Sequence, residues 1–334
     1  MTTTPAIRHI GTPIENGIRP FDLARDLRPV ADLISRAFAH ELDNRGTAIL
    51  REMRFMSYMA GIMRLFSGDN INYDDVFSGF VWVHEGKVIG NVTVQRGDGA
   101  GRRWQIANVA VASDFRGRGI AQGLLTQALE HIHFSNGDWA VLQVYENNHV
   151  ARHLYEKVGF DNMGGSVELR LQKAPPITRP PIVPSFGTYK ATHWRMLYQL
   201  AGSMPDAHAE WWRSLKRTDF QMTLEDQMAE WMWRLAGRTT VLRRCIRTTD
   251  RFEAALELTA QRWQGEHKLQ LWVRPEHFGK YEEYFAHWVL SKLQDFPRFP
   301  ISLTISTEHI AALDSFQRFG FQRRQALLTM RRKV

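Results

Sequence analysis

Apolar positions in the first half of the chain follow two different periods, and these periods delimit the elements. Residues 109–112 end a short apolar run that predicts a strand, and residues 140–145 form a second run typical of a buried parallel strand. Between the two runs, apolar residues recur every three or four positions, which predicts an amphipathic helix. The apolar stripe of this helix consists of Ile120, Leu124, Leu125, Ala128, Leu129 and Ile132.

A second, shorter helix follows the second strand, over residues 148–160, and ends at Gly159. Its inward face is predicted to carry Val150, Ala151, Leu154 and Val158. Strand, turn, helix, strand and helix together form a βαβα unit. Such a unit places a ligand site at the carboxyl ends of its strands.

The remaining elements of the first half complete an α/β pattern. Residues 22–40 and 47–66 read as helices, and residues 79–94 read as a hairpin that turns at Glu85-Gly86. Residues 166–171 supply a final strand. The expected fold is therefore a mixed central sheet flanked by helices.

The turn between the first strand and the long helix is basic and rich in glycine. Gly117 and Gly119 allow positive φ and a close approach of the backbone to a ligand, and Arg116 and Arg118 add positive charge. Backbone N–H groups at the start of the helix lack intrahelical partners, and the helix dipole adds partial positive charge. The turn is therefore suited to a pyrophosphate, although a solvated strand-to-helix connection has the same local signature.

In their order and spacing, these residues resemble the acyl-CoA-binding core of the GNAT superfamily of N-acetyltransferases, over roughly residues 18–172. The resemblance is carried by Arg116-x-x-Gly119-x-Ala121, preceded by Val109-x-Val111 and followed by Asn148-x-x-Ala151-x-x-Leu154-Tyr155-x-x-x-Gly159-Phe160.

The resemblance implies that acetyl-CoA is the co-substrate. It also places a backbone N–H near Val109 to Val111 for the oxyanion and makes Tyr155 the general acid, although a core tyrosine on an inner helix face is the alternative. Asn148 either caps its helix or hydrogen-bonds the pantetheine arm. The residues expected to contact the co-substrate are Val109, Val111, Arg116, Gly117, Arg118, Gly119, Ile120, Ala121 and Asn148.

The general base stays open. An alkylammonium with a pKa of about 10.4 must lose a proton before it can attack a thioester. Glu146, Asp74 and Asp75 are within reach in such a fold, but each is also an ordinary loop carboxylate.

A proline-rich stretch divides the chain, whose 334 residues exceed what a single core usually organises. We expect a catalytic domain over residues 1–172, an extended linker over 173–184 and a second domain over 185–334. The prolines of this stretch are Pro175, Pro176, Pro180, Pro181 and Pro184.

The second half repeats the first at an offset of about 161 residues, which predicts two pseudo-symmetric tandem domains. Gly159-Phe160 recurs as Gly320-Phe321, and Gly117 recurs as Gly279. The chemistry is lost: Arg116, Gly119, Ala121 and Tyr155 are replaced by Phe278, Tyr281, Glu283 and Phe316. Tyr281 and Glu283 are expected to fill the second turn, so we predict that the second domain is degenerate.

Composition narrows the kinds of site and partner that the protein is expected to have. A single cysteine, Cys245, leaves no intrachain disulfide, and His131 and His133 diverge on a helix, so we expect no metal site. The net charge is +8, but the basic residues are not interleaved with aromatic residues in the way that is typical of nucleic-acid binding. Without a long apolar run or a leader, we expect a cytoplasmic protein with no membrane or nucleic-acid partner.

The expected function is acetyl transfer from acetyl-CoA to a small-molecule amine, by a monomer built as a pseudo-dimer or by a homodimer. Two alternatives stay open: acetylation of a protein N-terminus or lysine, and acyl-CoA sensing without turnover. Residues 41–73 and 206–236 are where acceptor contacts are expected. Tryptophans of the second half serve packing or wall a cleft for an apolar or cationic ligand: Trp194, Trp211, Trp212, Trp231, Trp233, Trp263, Trp272 and Trp288.

Overall fold

The computed structural model describes residues 15–38, 78–97, 102–177, 186–204, 211–212 and 214–334. It contains two compact units. The N-terminal unit comprises Met1–Val144, His149–Asn162 and Met330–Val334, and the C-terminal unit comprises Tyr145–Asn148 and Met163–Thr329. The helix expected over 47–66, the whole acceptor segment 41–73, Asp74, Asp75 and residues 178–185 lie outside the described residues.

The elements of the first half alternate between strands and helices. In chain order they are β1 (Gly17–Pro20), α1 (Leu23–Ala37), β2 (Ser78–His84), β3 (Lys87–Arg96), β4 (Arg103–Val111), α2 (Ile120–Phe134), β5 (Trp139–Tyr145), α3 (His149–Lys157) and β6 (Asp161–Leu171).

Among the described residues, the elements of the second half follow the same order with one further helix, Leu224–Leu235, before the second strand. They are β7 (Phe186–Thr188), α4 (Trp194–Gly202), α5 (Leu224–Leu235), β8 (Thr239–Arg247), β9 (Phe252–Gln261), β10 (His267–Val273), α6 (Glu282–Leu293), β11 (Ile301–Ser306), α7 (Ile310–Arg318) and β12 (Gln322–Lys333). None of the helices in the described ranges is long and apolar enough to cross a membrane.

The sheet of the N-terminal unit runs in the order β1-β2-β3-β4-β5, and the end of β12 lies beside β5. The first three pairings are antiparallel, and β4 pairs with β5 in parallel. The stripe predicted for the long helix is the buried face of α2: Ile120, Leu124, Leu125, Ala128, Leu129 and Ile132. The packing of this stripe fixes where α2 begins, directly after the glycine turn.

The C-terminal unit contains a sheet of the order β12-β6-β11-β10-β9-β8-β7. Here β10 and β11 are parallel, and β6 pairs antiparallel with β11 from Ser166↔Ser306 to Leu171↔Ile301. Phe285, Val289 and Leu290 of α6 and Phe316 of α7 are fully buried in its main core. The repeat is visible in the backbone, because Gly320 has a φ of 90° where Gly159 has 89°.

Several elements predicted from the sequence are confirmed. The hairpin turns at Glu85 and Gly86, whose φ values of 49° and 73° suit a tight two-residue turn. The last strand of the first half is confirmed but longer than expected, Asp161–Leu171, and residues 163–171 belong to the C-terminal unit.

One prediction about packing is wrong. Val150 was expected on the inward face of α3, but its side chain is 84% exposed. Tyr155 is the residue of α3 that is buried. Among the tryptophans, Trp288 is buried in a core, whereas Trp231 and Trp263 are 61% and 66% exposed and do not serve core packing.

Candidate active site

The turn after β4 is shaped by two left-handed glycines. A short 3₁₀ turn, Ser113–Phe115, leaves the strand, and Gly117 and Gly119 follow with φ values of 76° and 78°. A Cβ on either glycine would meet no atom within 4 Å, so the space above the turn is open. Residues with a Cβ resist these φ values, which explains the glycines physically.

The start of α2 adjoins this open space, and the first backbone N–H groups of a helix have no partner within the helix. Gly119 is the N-cap residue and supplies no side-chain hydrogen bond to the first turn of the helix. Ile120 is buried and anchors the helix, while Ala121 is half-buried. An uncapped helix start next to left-handed glycines is a favourable site for an anion.

Two arginines are held beside the turn. Arg116 Nε donates to the Val111 carbonyl at 3.2 Å, and Arg118 Nη2 donates to the Asp114 carbonyl at 3.0 Å. The Arg118 guanidinium also lies 5.1 Å from the centre of the Phe115 ring. Because both side chains bond to backbone carbonyls, their positive charges are kept at the turn, where they favour a phosphate.

A β-bulge distorts β4 just before the turn. Asn91 of β3 pairs with Ala110 and Thr93 pairs with Ala107, so β4 carries one residue more than β3 between these two pairs. Asn108 has a φ of 52°, which re-aims the backbone around Val109. The structure therefore contains a bulge around Asn108 and Ala110.

The bulge is held by a buried side chain that the sequence analysis missed. Asn91 is 1% exposed, and its Nδ2 donates to the Asn108 carbonyl at 2.9 Å. Thr93 Oγ1 accepts a longer hydrogen bond from Asn108 Nδ2, at 3.2 Å. An asparagine in the middle of an apolar strand was the signal that could have identified it.

We expect Asn91→Ala to lower the free energy of unfolding by about 1–3 kcal/mol, because it removes a buried side chain that donates a hydrogen bond to the Asn108 carbonyl. Thr93→Val removes two longer hydrogen bonds to Thr93 Oγ1, from Asn108 Nδ2 at 3.2 Å and from Asn91 Nδ2 at 3.4 Å, and should change the free energy by less. Urea unfolding of both variants checks this order. Equal stability of Asn91→Ala and the unmodified chain would mean that the bulge does not depend on Asn91.

The parallel strands β4 and β5 pair over only part of their length. The register runs from Arg103↔Trp139 to Ile106↔Leu142, whereas β4 continues to Val111 and β5 to Tyr145. Val109 and Val111 lie in this last part of β4 and are half-buried. The end of β4 and the glycine turn thus form one continuous surface of backbone.

Tyr155 lies on the buried side of α3, with 7% of its surface exposed and its ring 6.1 Å from that of Phe160. Asn148 immediately precedes α3, and its backbone N–H donates to the Tyr145 carbonyl at 3.0 Å. Both residues therefore hold fixed positions at and after the end of β5.

The candidate base Glu146 is already engaged. Arg323 Nη2 donates to Glu146 Oε2 at 2.6 Å, and both side chains are 45% exposed. Arg323 and Glu146 belong to the same compact unit, and their ion pair fixes the position of the carboxylate. This contact favours a structural role for Glu146 and leaves the general base open.

In the C-terminal unit, the turn between β10 and α6 has a similar backbone, but a side chain satisfies its donors. Gly279 has a φ of 85°, and α6 begins at Glu282, as α2 begins at Ile120. The Glu282 carboxylate accepts the N–H groups of Gly279 at 2.9 Å and of Tyr281 at 3.0 Å. The N–H groups that an anion would need are thus taken up within the chain.

A buried histidine completes this internal anion site. His309 Nε2 donates to Glu282 Oε1 at 2.7 Å, both residues are almost fully buried, and Phe278 stacks on His309 with ring centres 3.7 Å apart. Burial alone would raise the pKa of Glu282, but the hydrogen bonds from His309 and from the turn lower that pKa below its ordinary value. The carboxylate is therefore ionised and replaces an external anion.

The prediction that Glu283 fills the second turn is wrong, because Glu282 takes this role. Glu283, expected to fill the turn, is an exposed residue whose side chain lies 3.4 Å from Arg318. Tyr281 packs against the core of the unit. Glu282 and His309 were missed, although His309 stands at the position of Asn148 when the repeat offset of 161 residues is applied.

Comparison with known proteins agrees with this geometry. Residues 47–160 match the family model described as the acetyltransferase (GNAT) family. The N-terminal half of the chain is therefore similar to acetyltransferases of the GNAT family over about a third of the chain length.

Curated relatives match about a third of the chain. The chain is 31% identical over 115 residues to N-alpha-acetyltransferase MAK3 of Arabidopsis thaliana, which covers 32% of this chain and 60% of that protein. It is 30% identical over 117 residues to N-acetylaspartate synthetase of Danio rerio, covering 35% and 40%. The chain thus spans less than two thirds of the length of these relatives.

Solved structures resemble the whole chain. A GCN5-related N-acetyltransferase from Sphaerobacter thermophilus has a TM-score of 0.59 at 14% identity and covers 97% of both chains. A tandem GNAT protein from the clavulanic acid biosynthesis pathway has a TM-score of 0.53 at 14% identity, covering 95% of this chain and 98% of that one. At this identity the likeness shows the fold alone.

Proposed function

We propose that this protein transfers an acetyl group from acetyl-CoA to a primary amine of a small molecule, by direct attack in a ternary complex. The observation that carries the proposal is the open turn formed by Gly117 and Gly119 at the uncapped start of α2. Its N–H groups, with Arg116 and Arg118, hold the pyrophosphate of the co-substrate. The turn and the bulged end of β4 are consecutive in the chain, so phosphate and thioester are bound by one backbone surface.

In the proposed reaction, the amine nitrogen attacks the thioester carbonyl carbon and the carbonyl oxygen takes up negative charge. A backbone N–H near Val109 to Val111, re-aimed by the bulge, stabilises this oxyanion. As the tetrahedral intermediate collapses, the C–S bond breaks and Tyr155 gives its proton to the leaving thiolate. Asn148 caps α3 or hydrogen-bonds the pantetheine arm.

The acceptor must arrive as the neutral amine or lose its extra proton at the site. An amine with a pKa of about 10.4 is only about 0.1% neutral at a pH of about 7.4, which corresponds to roughly 4 kcal/mol. A solvent-connected proton path through water meets this need without a dedicated carboxylate. The proposal therefore assigns no residue as general base.

The repeat supports a division of labour within the chain. We propose that residues 1–172 form the catalytic copy, 173–184 a linker and 185–334 a degenerate copy. Residues 163–171 belong to the C-terminal unit, and residues 330–334 belong to the N-terminal unit. The internal anion Glu282 supports the loss of co-substrate binding by the second copy.

We expect Tyr155→Phe to lower kcat by about 10²-fold or somewhat more, because the thiolate must then leave without a positioned acid. A thiol with a pKa of about 8.5 is a fair leaving group, so some activity should remain. Release of free thiol from acetyl-CoA, measured with a panel of small amines, checks the expectation.

Binding of acetyl-CoA to Tyr155→Phe should be unchanged, which separates a chemical role from a packing role. Full activity of this variant would contradict the assignment of Tyr155 as the acid. Acetylation of an intact protein or peptide, with no turnover of any small amine, would contradict the choice of acceptor. Co-substrate binding without turnover of any acceptor would favour an acyl-CoA sensor.

A further inference from the structure

The C-terminal unit contains a cleft of about 420 Å³ that the acyl-transfer proposal does not use. Its floor is the face of the sheet formed by β8, β9 and β10, and its walls are contributed by the starts of α4 and α5 and by the 3₁₀ turn Arg217–Asp219. Its volume is in the range of small-molecule sites. The residues of this cleft, called here the β8–β10 cleft, all belong to one compact unit.

A polar row crosses the floor of the cleft. Arg243, Glu257 and Gln270 are directly paired across the three strands. Arg243 Nε donates to Glu257 at 2.8 Å, and its two terminal nitrogens donate to the two oxygens of Glu230 at 3.1 and 3.0 Å. One guanidinium thus pairs with two carboxylates, so Arg243, Glu257 and Glu230 together carry a net negative charge.

The rim of the cleft is also acidic on balance. Asp219 and Asp226 line it together with one further cation, Lys190. Hydrogen bonds from the backbone and the hydroxyl of Thr223 keep the pKa of Asp226 below its ordinary value, so this carboxylate is charged at neutral pH. The lining therefore repels anions and attracts cations.

Aromatic residues supply the apolar part of the lining. Trp194, Phe220 and Trp272 are half-buried and line the cleft, as does Tyr189. Aromatic faces carry negative charge density and attract cations as well as apolar groups. Aromatic walls over a floor of net negative charge therefore favour ligands that are both cationic and apolar.

Tyr189 adds an unused polar group. The residue is 5% exposed, and its buried hydroxyl has no hydrogen-bond partner among the described residues. Glu257 lies near enough to contribute to a raised pKa of Tyr189, whose main cause is burial. A hydroxyl that stays protonated can accept a hydrogen bond from an N–H donor. Buried groups of this kind call for an explanation, and a ligand atom provides one.

We propose that the β8–β10 cleft binds a small organic cation, a protonated amine with an apolar body, with its ammonium group towards Glu257 and its body against Trp194 and Trp272. This site is separate from the acyl-transfer site of the N-terminal unit. It gives the degenerate half of the chain a ligand of its own and does not depend on whether that half binds acetyl-CoA.

The first test is a titration of the full-length chain with phenethylamine at neutral pH, in the absence of acetyl-CoA, followed by calorimetry. The same titration with 2-phenylethanol and with phenylacetate keeps the aromatic body and changes only the charge. We expect phenethylamine to bind at least about tenfold more tightly than either analogue, because a contact between charged groups is lost in both. Equal binding of the three compounds would overturn the proposal.

Two variants locate the site and separate it from the acceptor site. Glu257→Gln should weaken phenethylamine binding at least about tenfold, and Lys190→Ala should strengthen it about two- to threefold by removing a like charge. Glu308→Gln, an exposed carboxylate that does not line the cleft, is the matched control and should change nothing. Unchanged binding in both Glu257→Gln and Lys190→Ala would overturn the proposal.

If Glu257→Gln fails to fold, as judged by circular dichroism, Lys190→Ala decides alone, because Lys190 is exposed and its loss leaves the fold intact. Unchanged binding in that variant then overturns the proposal. Acetyl-transfer activity is measured separately, so a failure of this site and a failure of the proposed function give different results.

Discussion

Gly119→Tyr is expected to reduce the affinity for acetyl-CoA by at least about 100-fold, because the turn would lose hydrogen bonds to a charged phosphate that are worth about 1.5–3 kcal/mol each. Gly119 has a φ of 78° and opens onto free space above the turn. A tyrosine there resists this φ and places a ring in the space that the pyrophosphate needs. The substitution also reproduces the residue that stands at the equivalent position, Tyr281, in the second copy.

Gly86→Tyr is the matched control for this experiment. Gly86 has a φ of 73°, a Cβ on it would also meet nothing within 4 Å, and it lies in the hairpin between β2 and β3. The backbone strain of the two substitutions is therefore similar, while only one of them lies in the turn. Calorimetric titration should show near-normal binding by Gly86→Tyr. Equal loss in both variants would mean that strain, and not the phosphate turn, accounts for the effect.

Glu282→Ala is expected to lower the free energy of unfolding by about 3–5 kcal/mol, because it removes one partner of a buried, hydrogen-bonded pair. The N–H groups of Gly279 and Tyr281 and the ring of His309 would all lose their acceptor. Glu283→Ala is the matched control: the neighbouring carboxylate is 64% exposed and should change the free energy by no more than about 0.5 kcal/mol. Urea unfolding of both variants, followed by tryptophan fluorescence, measures the difference.

The pH dependence of this difference has a defined sign. The pKa of Glu282 is lower in the folded protein than its ordinary value of 4.5, so the ionised carboxylate stabilises the fold. That contribution is complete above the ordinary value and is lost as pH falls through the lower, folded pKa. The gap between the unmodified chain and Glu282→Ala should therefore shrink in acid. A gap that grew with acidity, or equal effects of Glu282→Ala and Glu283→Ala at neutral pH, would contradict the internal anion.

Long periodic segments could be predicted from the sequence because their packing follows local rules. The buried stripe of α2 and the hairpin at Glu85 and Gly86 match the prediction. Helical periodicity and turn preference both depend on residues that are only a few positions apart. The short helix α3 was less predictable. In a helix of nine residues, the face that packs against the core is decided by which side chain is buried. Tyr155 is buried, while Val150 is exposed.

The parts that could not be predicted depend on partners distant in the sequence. Glu282 and His309 are 27 positions apart, and residues Ser166 to Leu171 of β6 pair with residues of β11 that are at least 130 positions further on. A sequence pattern shows that a strand or a polar residue is present, but not which element it pairs with. The open turn of Gly117 and Gly119 was predictable because all its parts are consecutive.

The number of acetyl-CoA molecules bound per chain tests the account most directly. The open turn of the N-terminal unit and the internally satisfied turn of the C-terminal unit together predict one site, measured by calorimetric titration of the full-length chain and absent in Gly119→Tyr. Two sites per chain would contradict the role of Glu282 as an internal anion. No binding at all would contradict the assignment of the Arg116–Ala121 turn as the site that holds the co-substrate.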